Sequence, residues 1–278
     1  MLSSLLIVFR EVIEAGLIVG IVLAATVGVQ RRSQAVGLGV AGGVAGACIV
    51  AAFAGELATL FEGSGQEMFN AAILLLAVTM LIWHNVWMAS HGREMARELK
   101  AAGHAVTTGK RTLAALGIVV GVAVLREGSE VVLFLYGIAA QGGTSNTALL
   151  AGGALGLGAG AVVSAMMYFG LLTIPAGRLF SVTSGLITLL AAGMAAQAVL
   201  FLQNGGIISV LTGSLWDTSW LLKDDSIAGR LLHTLVGYTD APDGAQLIAY
   251  GIVLIAMVAL MRLVGKPAPA VPRPAAAE

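Results

Sequence analysis

The first apolar run of the chain, MLSSLLIVFREVIEAGLIVGIVLAATVG, is long enough to cross a membrane and carries Arg10, Glu11 and Glu14 in its interior. A helix needs about 20 mostly apolar residues to span the hydrocarbon, and a charge at its centre costs at least about 2.5–3.5 kcal/mol on insertion scales. These side chains therefore demand polar company, which in lipid only other helices can provide. The pattern returns in LREGSEVVLFLYGIAA, with Arg126, Glu127 and Glu130. On a helix, positions i, i+1 and i+4 share one face, so each motif projects its three charges together.

Composition sets the class. Only 11% of the 278 residues are charged and 58% are hydrophobic, with a mean hydropathy of +0.93, whereas a soluble domain has roughly 25% charged residues. The chain is predicted to be an all-α polytopic membrane protein. A formal net charge of zero gives no basic face for nucleic acid. Cys48 is the only cysteine, which excludes an internal disulfide and a cysteine metal cluster; it is expected as a small buried hydrophobe. No basic residue precedes the first apolar run, so that run reads as a first span rather than a cleaved signal peptide.

Seven stretches qualify as spans, at about 3–28, 36–60, 68–89, 115–140, 147–172, 180–203 and 246–263. Basic residues sort to one side of them. Arg31 and Arg32, Arg93, Arg97, Lys100, Lys110 and Arg111, then Arg178, and finally Arg262, Lys266 and Arg273 all fall on the side of the C-terminus. The other side holds Lys223 and Arg230 among seven acids: Glu62, Glu67, Asp217, Asp224, Asp225, Asp240 and Asp243. The positive-inside rule then puts the N-terminus outside and the C-terminus in the cytoplasm. Residues 1–264 read as a single transmembrane permease domain, and the proline-rich stretch 265–278 as a disordered cytoplasmic tail. The charge-alternating segment 90–114 reads as a solvated cytoplasmic helix. In the outer loop 204–245, Trp216 and Trp220 suggest short helices lying at the membrane interface.

Setting Arg10 on Arg126 gives an offset of 116 residues, which also sets Gly37 on Gly153 and Gly42 on Gly158. Repeat one (about 1–90) and repeat two (about 115–203) thus resemble two copies of one three-span unit. An odd number of spans per copy makes the second point the other way, an inverted 3+3 repeat with one further C-terminal helix, and such architectures place the substrate near mid-membrane between the copies. Gly37, Gly39 and Gly42 also spell G-x-G-x-x-G, but that fingerprint requires a preceding strand. The pairs Gly39/Gly43, Gly152/Gly156 and Gly156/Gly160 fit close helix–helix contacts instead.

The first motif lies roughly 12 Å from the outer end of its helix, and the second a similar distance from the cytoplasmic end of its own. Entering from opposite faces, the two converge. Four carboxylates would then face two guanidinium groups, a deficit of positive charge that a bound cation would fill. Metal ligands are expected at Glu11, Glu14, Glu127 and Glu130, with Arg10 and Arg126 in support. An all-oxygen set suits hard ions, so Fe³⁺ fits, and ligand type alone leaves Mn²⁺, Fe²⁺ and a proton relay open. The chain contains no Glu-x-x-His, H-E-x-x-H, G-x-S-x-G, C-x-x-C or P-loop, which speaks against an enzyme and for a transporter. A membrane scaffold subunit for an oxidase is the other alternative.

Paired R-E-x-x-E motifs in the first and fourth of seven spans resemble the oxidase-dependent iron permease family, and in particular its bacterial iron permeases. The likeness extends to QEMFNAAILLLAVTMLIW entering span three, WDTS in the outer loop and LLHTLVGYTDAP before span seven. The resemblance implies import of Fe³⁺ across the cytoplasmic (inner) membrane, the four motif glutamates as ligands, no cofactor beyond the transported iron, and a separate extracytoplasmic oxidase or iron-binding protein as partner. Relatives have also been connected with lead, so Pb²⁺ joins the alternatives. Two positions depart from the pattern: Val12 stands where Gly usually follows the first Arg-Glu, adding bulk beside the site, and Asn70 replaces a glutamate, leaving Glu67 as the nearer acid. Asp217 matches a family position in the outer loop, and both acids are weighed as cation-attracting groups against solvated ones. His84 and His233 are expected to face helix neighbours rather than a metal, and His91 and His104 to be solvated.

Overall fold

The structure, a computed structural model, describes residues 1–59, 65–141, 144–170, 176–224 and 226–264. The expected disordered tail 265–278, together with Glu62 and Asp225, lies outside the described residues. Among the described residues eight helices form: α1 (Leu2–Ala25), α2 (Arg32–Thr59), α3 (Gln66–Thr107), α4 (Leu113–Gln141), α5 (Asn146–Tyr168), α6 (Ala176–Asn204), α7 (Ile227–Val236) and α8 (Gly244–Val264). All but α7 coincide with an expected span. Five, in α2, α3, α5, α6 and α8, are long and apolar enough to cross a membrane. α1 and α4, at 24 and 29 residues, have the length but each carries the three charges of its motif.

The helix ends follow from local chemistry. α1 stops where Thr26 turns its hydroxyl back to the Val22 carbonyl (2.8 Å) and Gly28 adopts φ +89°. Arg32 donates to the Leu23 carbonyl (3.0 Å), a cation at the negative end of the helix dipole. α5 begins at Ser145, whose hydroxyl accepts from the Ala148 N–H. α8 opens with a reciprocal cap: Asp243 Oδ1 accepts from the Gln246 N–H (2.7 Å) and Gln246 Oε1 from the Asp243 N–H (3.0 Å), as a capping box does.

The segment 90–114 differs from expectation. α3 runs unbroken for 42 residues, about 63 Å, well beyond a hydrocarbon core of about 30 Å. Its extension is amphipathic and not merely solvated. Arg97, Glu98 and Lys100 are exposed, while Leu99 and Val106 pack with Ile18 and Val22 of α1 and with Leu116 and Val120 of α4. The outer segment also differs: one short helix, α7, follows a non-helical strap over 205–224. The strap is tied down by Leu215 N–H to the Pro242 carbonyl (2.9 Å) and Thr218 N–H to the Asp240 carbonyl (2.8 Å). Trp216 and Trp220 on it are exposed.

Glycine decides how the long helices meet. α2 packs along α4, α5 along α1, and α3 against α6, with α8 against α6 and touching α3. A Cβ on Gly43 would lie 2.7 Å from the Gly121 carbonyl oxygen, and one on Gly160 would lie 2.9 Å from Val12 Cβ. Gly39, Gly152 and Gly156 are equally crowded, whereas Gly37, Gly42 and Gly158 meet nothing within 4 Å. The glycines aligned by the 116-residue offset are therefore not the packing ones. Gly43 meets Gly121, Val124 and Leu125, while Gly156, 113 residues later, meets Leu5, Val8 and Phe9. The offset of 116 relates α1 to α4, and one of 113 relates α2 to α5, the difference being absorbed in the connections. Cys48, expected to be buried, is exposed on α2.

Gly43→Ala is expected to destabilise the protein by about 1–3 kcal/mol through overpacking, while Gly42→Ala one residue away changes stability by less than about 1 kcal/mol. Thermal unfolding of the two variants in the same detergent compares them directly.

Candidate metal-binding site

Both charged motifs sit near the middle of their helices, on α1 and α4, and both turn inward. Arg10, Glu11, Glu14, Glu127 and Glu130 are all buried. Within the first motif, Arg10 Nε lies 3.0 Å from Glu14 Oε1 and Arg10 NH1 lies 3.4 Å from Glu11 Oε1. In the second, Arg126 Nε donates to Glu130 Oε1 at 3.1 Å. The two arginines are not equivalent. Arg10 is 1% exposed, whereas Arg126 is 37% exposed and lies over the Trp87 ring, 4.4 Å from its centroid.

His84 of α3 joins the motifs, a position that sequence reasoning assigned to ordinary helix packing. Its Nε2 lies 3.2 Å from Glu14 Oε2 and 3.9 Å from Glu11 Oε2, and its Nδ1 contacts Glu130 Oε2. A neutral imidazole has one N–H, so one of its nitrogens would face a carboxylate with nothing to donate. A proton or a metal ion between them removes that conflict. One donor atom from each of Glu11, His84, Glu127 and Glu130 lies within 4.8 Å of the others. Four ligands about 2.1 Å from one ion in a tetrahedral set are about 3.4 Å apart, so a contraction on the order of 1 Å would let the four share a cation. Among the described residues no N–H group donates to the buried Glu11 Oε2 or Glu127 Oε2, which leaves room for such an ion. Glu14 stands outside this four-residue set, engaged by Arg10 and His84.

The remaining candidates lie elsewhere. Glu67, in the first turn of α3, packs beside Gly205 at the end of α6. It is 17 residues from His84, about 26 Å along the helix. Asp217 is exposed on the strap, where its Oδ1 accepts from the Ser219 N–H at 2.8 Å. Hydrogen bonds from Ser219 hold its carboxyl below the usual aspartate range. Neither acid joins the central cluster. Asp224 and Asp240 clasp each other's backbone N–H groups, and burial followed by the Asp240 charge raises the Asp224 carboxyl. His233 Nδ1 donates to the Tyr238 carbonyl (2.8 Å), His91 stacks on Trp87, and His104 is exposed beside Thr107. Val12 does not crowd the acids, because it turns away into the gap left by Gly160 of α5.

Residues 1–266 match the iron permease FTR1 family. The chain belongs to that family. It is 30% identical over 266 residues to the ferrous iron permease EfeU of Escherichia coli O6:H1, covering 94% of this chain and 95% of the relative. The EfeU of Yersinia pestis is 30% identical over 266 residues, with 95% and 94% covered. That of Shigella sonnei is 30% identical over 259 residues, with 92% and 93% covered. No solved structure matches the chain. Family membership makes this a multi-pass membrane permease for iron, a transporter and not an enzyme. The charged cluster lies buried between the helices of this iron permease.

The two arginines differ in what their removal leaves behind. Arg10→Ala would strand two buried carboxylates and is expected to cost about 3–5 kcal/mol. Arg126→Ala loses a half-exposed pair and a ring contact, expected at about 1–2 kcal/mol. Unfolding of both variants in detergent checks the order.

Proposed function

We propose that this iron permease imports Fe²⁺ across the cytoplasmic membrane through a mid-membrane site made by Glu11, Glu127 and Glu130 with His84, while Glu14, Arg10 and Arg126 hold the ligands in place. The observation that carries the reading is the charge balance of one buried cluster. Four carboxylates against two guanidinium groups leave two negative charges, which a divalent ion neutralises. A trivalent ion would leave an excess positive charge in a medium of low dielectric. The imidazole supports the same choice, since nitrogen ligands suit Fe²⁺ better than an all-oxygen set does. The EfeU relatives are named as ferrous permeases.

The architecture supporting this reading is seven spans with the N-terminus outside, α1 and α4 crossing despite their charges because their polar faces meet. The helix pairings fit an inverted repeat. Each glycine-rich helix packs on the charged helix of the other triplet, α5 on α1 and α2 on α4, as a two-fold exchange between the triplets would produce. Import of Fe³⁺ after oxidation by a separate extracytoplasmic partner is the second reading, favoured by the number of carboxylates in the cluster.

Uptake of radioactive iron into proteoliposomes separates the two. Under a reductant that keeps iron ferrous, uptake should proceed, and with chelated ferric iron and no reductant it should fall to background. Glu11→Gln and Glu127→Gln should each abolish uptake, and His84→Ala should lower it by about 10–100-fold. Uptake of ferric iron alone at the ferrous rate would sink the ferrous reading. Normal uptake by folded Glu11→Gln and Glu127→Gln proteins would sink the site.

A further inference from the structure

A cavity of about 620 Å³ lies against the charged cluster on one side only. Arg10 and Glu14 form its inner end, and every other wall residue lies beyond them in a single direction. On α1 the wall runs onward from Leu17 to Ile21, and on α3 from Asn85 to Leu99. On α6 it comprises Phe180 to Gly185, near the start of that helix. All three stretches point to the end of the bundle that bears Arg32, Arg97 and Lys100, the cytoplasmic end by the distribution of basic residues.

The opposite side of the cluster is filled. Ile7, Leu81, Phe134 and Met194 are each 0% exposed, and with Leu74 and Ile138 they form one apolar layer beyond the acids. Packing there is tight enough that a Cβ on Gly137 would come within 2.6 Å of Met194 Cε and 2.9 Å of Ala77 Cβ. A hydrated ion has no room in such a layer. The cavity, in contrast, has space for about 20 waters at their liquid volume, enough for an ion with its first hydration shell.

We infer that this cavity is the vestibule through which the cation leaves Glu14 for the cytoplasm, and that the structure is the state open to that side and shut to the outside. The inference rests on the permease reading above and adds the route and the state. The wall chemistry suits release. Beyond Glu14 the lining offers no further carboxylate among the described residues, so none of these competes for the departing ion. The other polar groups described on the wall are neutral ones able to bind hydration water. Asn85, itself 1% exposed, accepts from the Ser184 hydroxyl at 3.2 Å, and its amide nitrogen has no protein partner. Ser181 and Ser184 add hydroxyls, and Met88, Met95 and Met261 add thioethers, which bind hard or borderline ions weakly. Glu14 itself occupies the threshold, since it touches His84 of the cluster and also lines the vestibule. An ion leaving the four-ligand set for the cytoplasm would pass the Arg10–Glu14 pair to reach it.

The single native cysteine makes the test direct. In a Cys48→Ala background, Ser184→Cys and Ala96→Cys each place one thiol on the vestibule wall, and Ala191→Cys places one in the filled layer. Each folded variant is reconstituted, and a charged, membrane-impermeant methanethiosulfonate is added from either face, with iron uptake measured before and after labelling. The expected result is labelling of both vestibule thiols from the cytoplasmic face only, with severalfold loss of uptake on labelling, and no labelling of Ala191→Cys from either face. Labelling of the vestibule thiols from the outer face, their silence from both faces, or labelling with uptake retained would overturn the inference. Absence of iron uptake by the unlabelled native chain would instead overturn the permease reading, while the sidedness of labelling would still decide whether the vestibule is aqueous.

Discussion

Holding ionised side chains together in the middle of an apolar bundle is the constraint to which the rest of the molecule answers. A motif charge is costly to expose to lipid, and most of the six are made tolerable by a neighbour on another turn or another helix, Glu127 being left without an ion pair among the described residues. Arg10 stands between Glu11 and Glu14, Arg126 reaches Glu130, and His84 spans from one motif to the other. The balance is incomplete, and the missing positive charge is the physical basis for reading the cluster as a cation site rather than as structural cement. A purely structural contact could be made from two apolar helices at lower cost.

Glycine serves that constraint by bringing backbones close. The glycine-rich helices seat on the uncharged residues of the charge-bearing helices, not on the motif side chains. Gly156 and Gly160 accept Leu5, Phe9 and Val12, while Gly39 and Gly43 accept the backbone of α4 around Gly121. Small residues at helix contacts are the usual means of close approach in membranes. Here they also explain the tolerance of Val12, whose extra bulk is taken up by the absence of a side chain at Gly160.

Much of this was legible in the sequence, because the dominant signals are periodic. The spacing of Arg10, Glu11 and Glu14 fixes a common face without any knowledge of neighbours, and apolar length alone located the long helices to within a few residues, apart from the extension of α3. Information that depends on neighbours was not legible. His84 lies 70 residues from Glu14 on a helix with no other polar residue nearby except Asn85, and nothing in a one-dimensional pattern marks an isolated histidine as inward-facing. The shift from 116 to 113 between the two pairs of helices was hidden for a related reason: glycines on the open face of α2 align as readily as those on its packed face. The extension of α3 was misread because its charges are obvious, whereas Met95, Leu99 and Val106, which dock it, are thinly spread among charged and small residues. Asp217 and Glu67 carried the right chemistry at positions that the fold keeps away from the cluster.

The exchange of partners between the two triplets has a consequence for synthesis. α1 leaves the ribosome well before the glycine-bearing surface that seats against it, which belongs to α5 and begins only at Asn146. The acids of α1 find their counterpart on α4 and their imidazole on α3, later still than their own insertion. Until those arrive, α1 carries three formal charges without its final companions. Assembly is therefore a waiting problem for α1, whose charges gain their neighbours only once α3, α4 and α5 have been made.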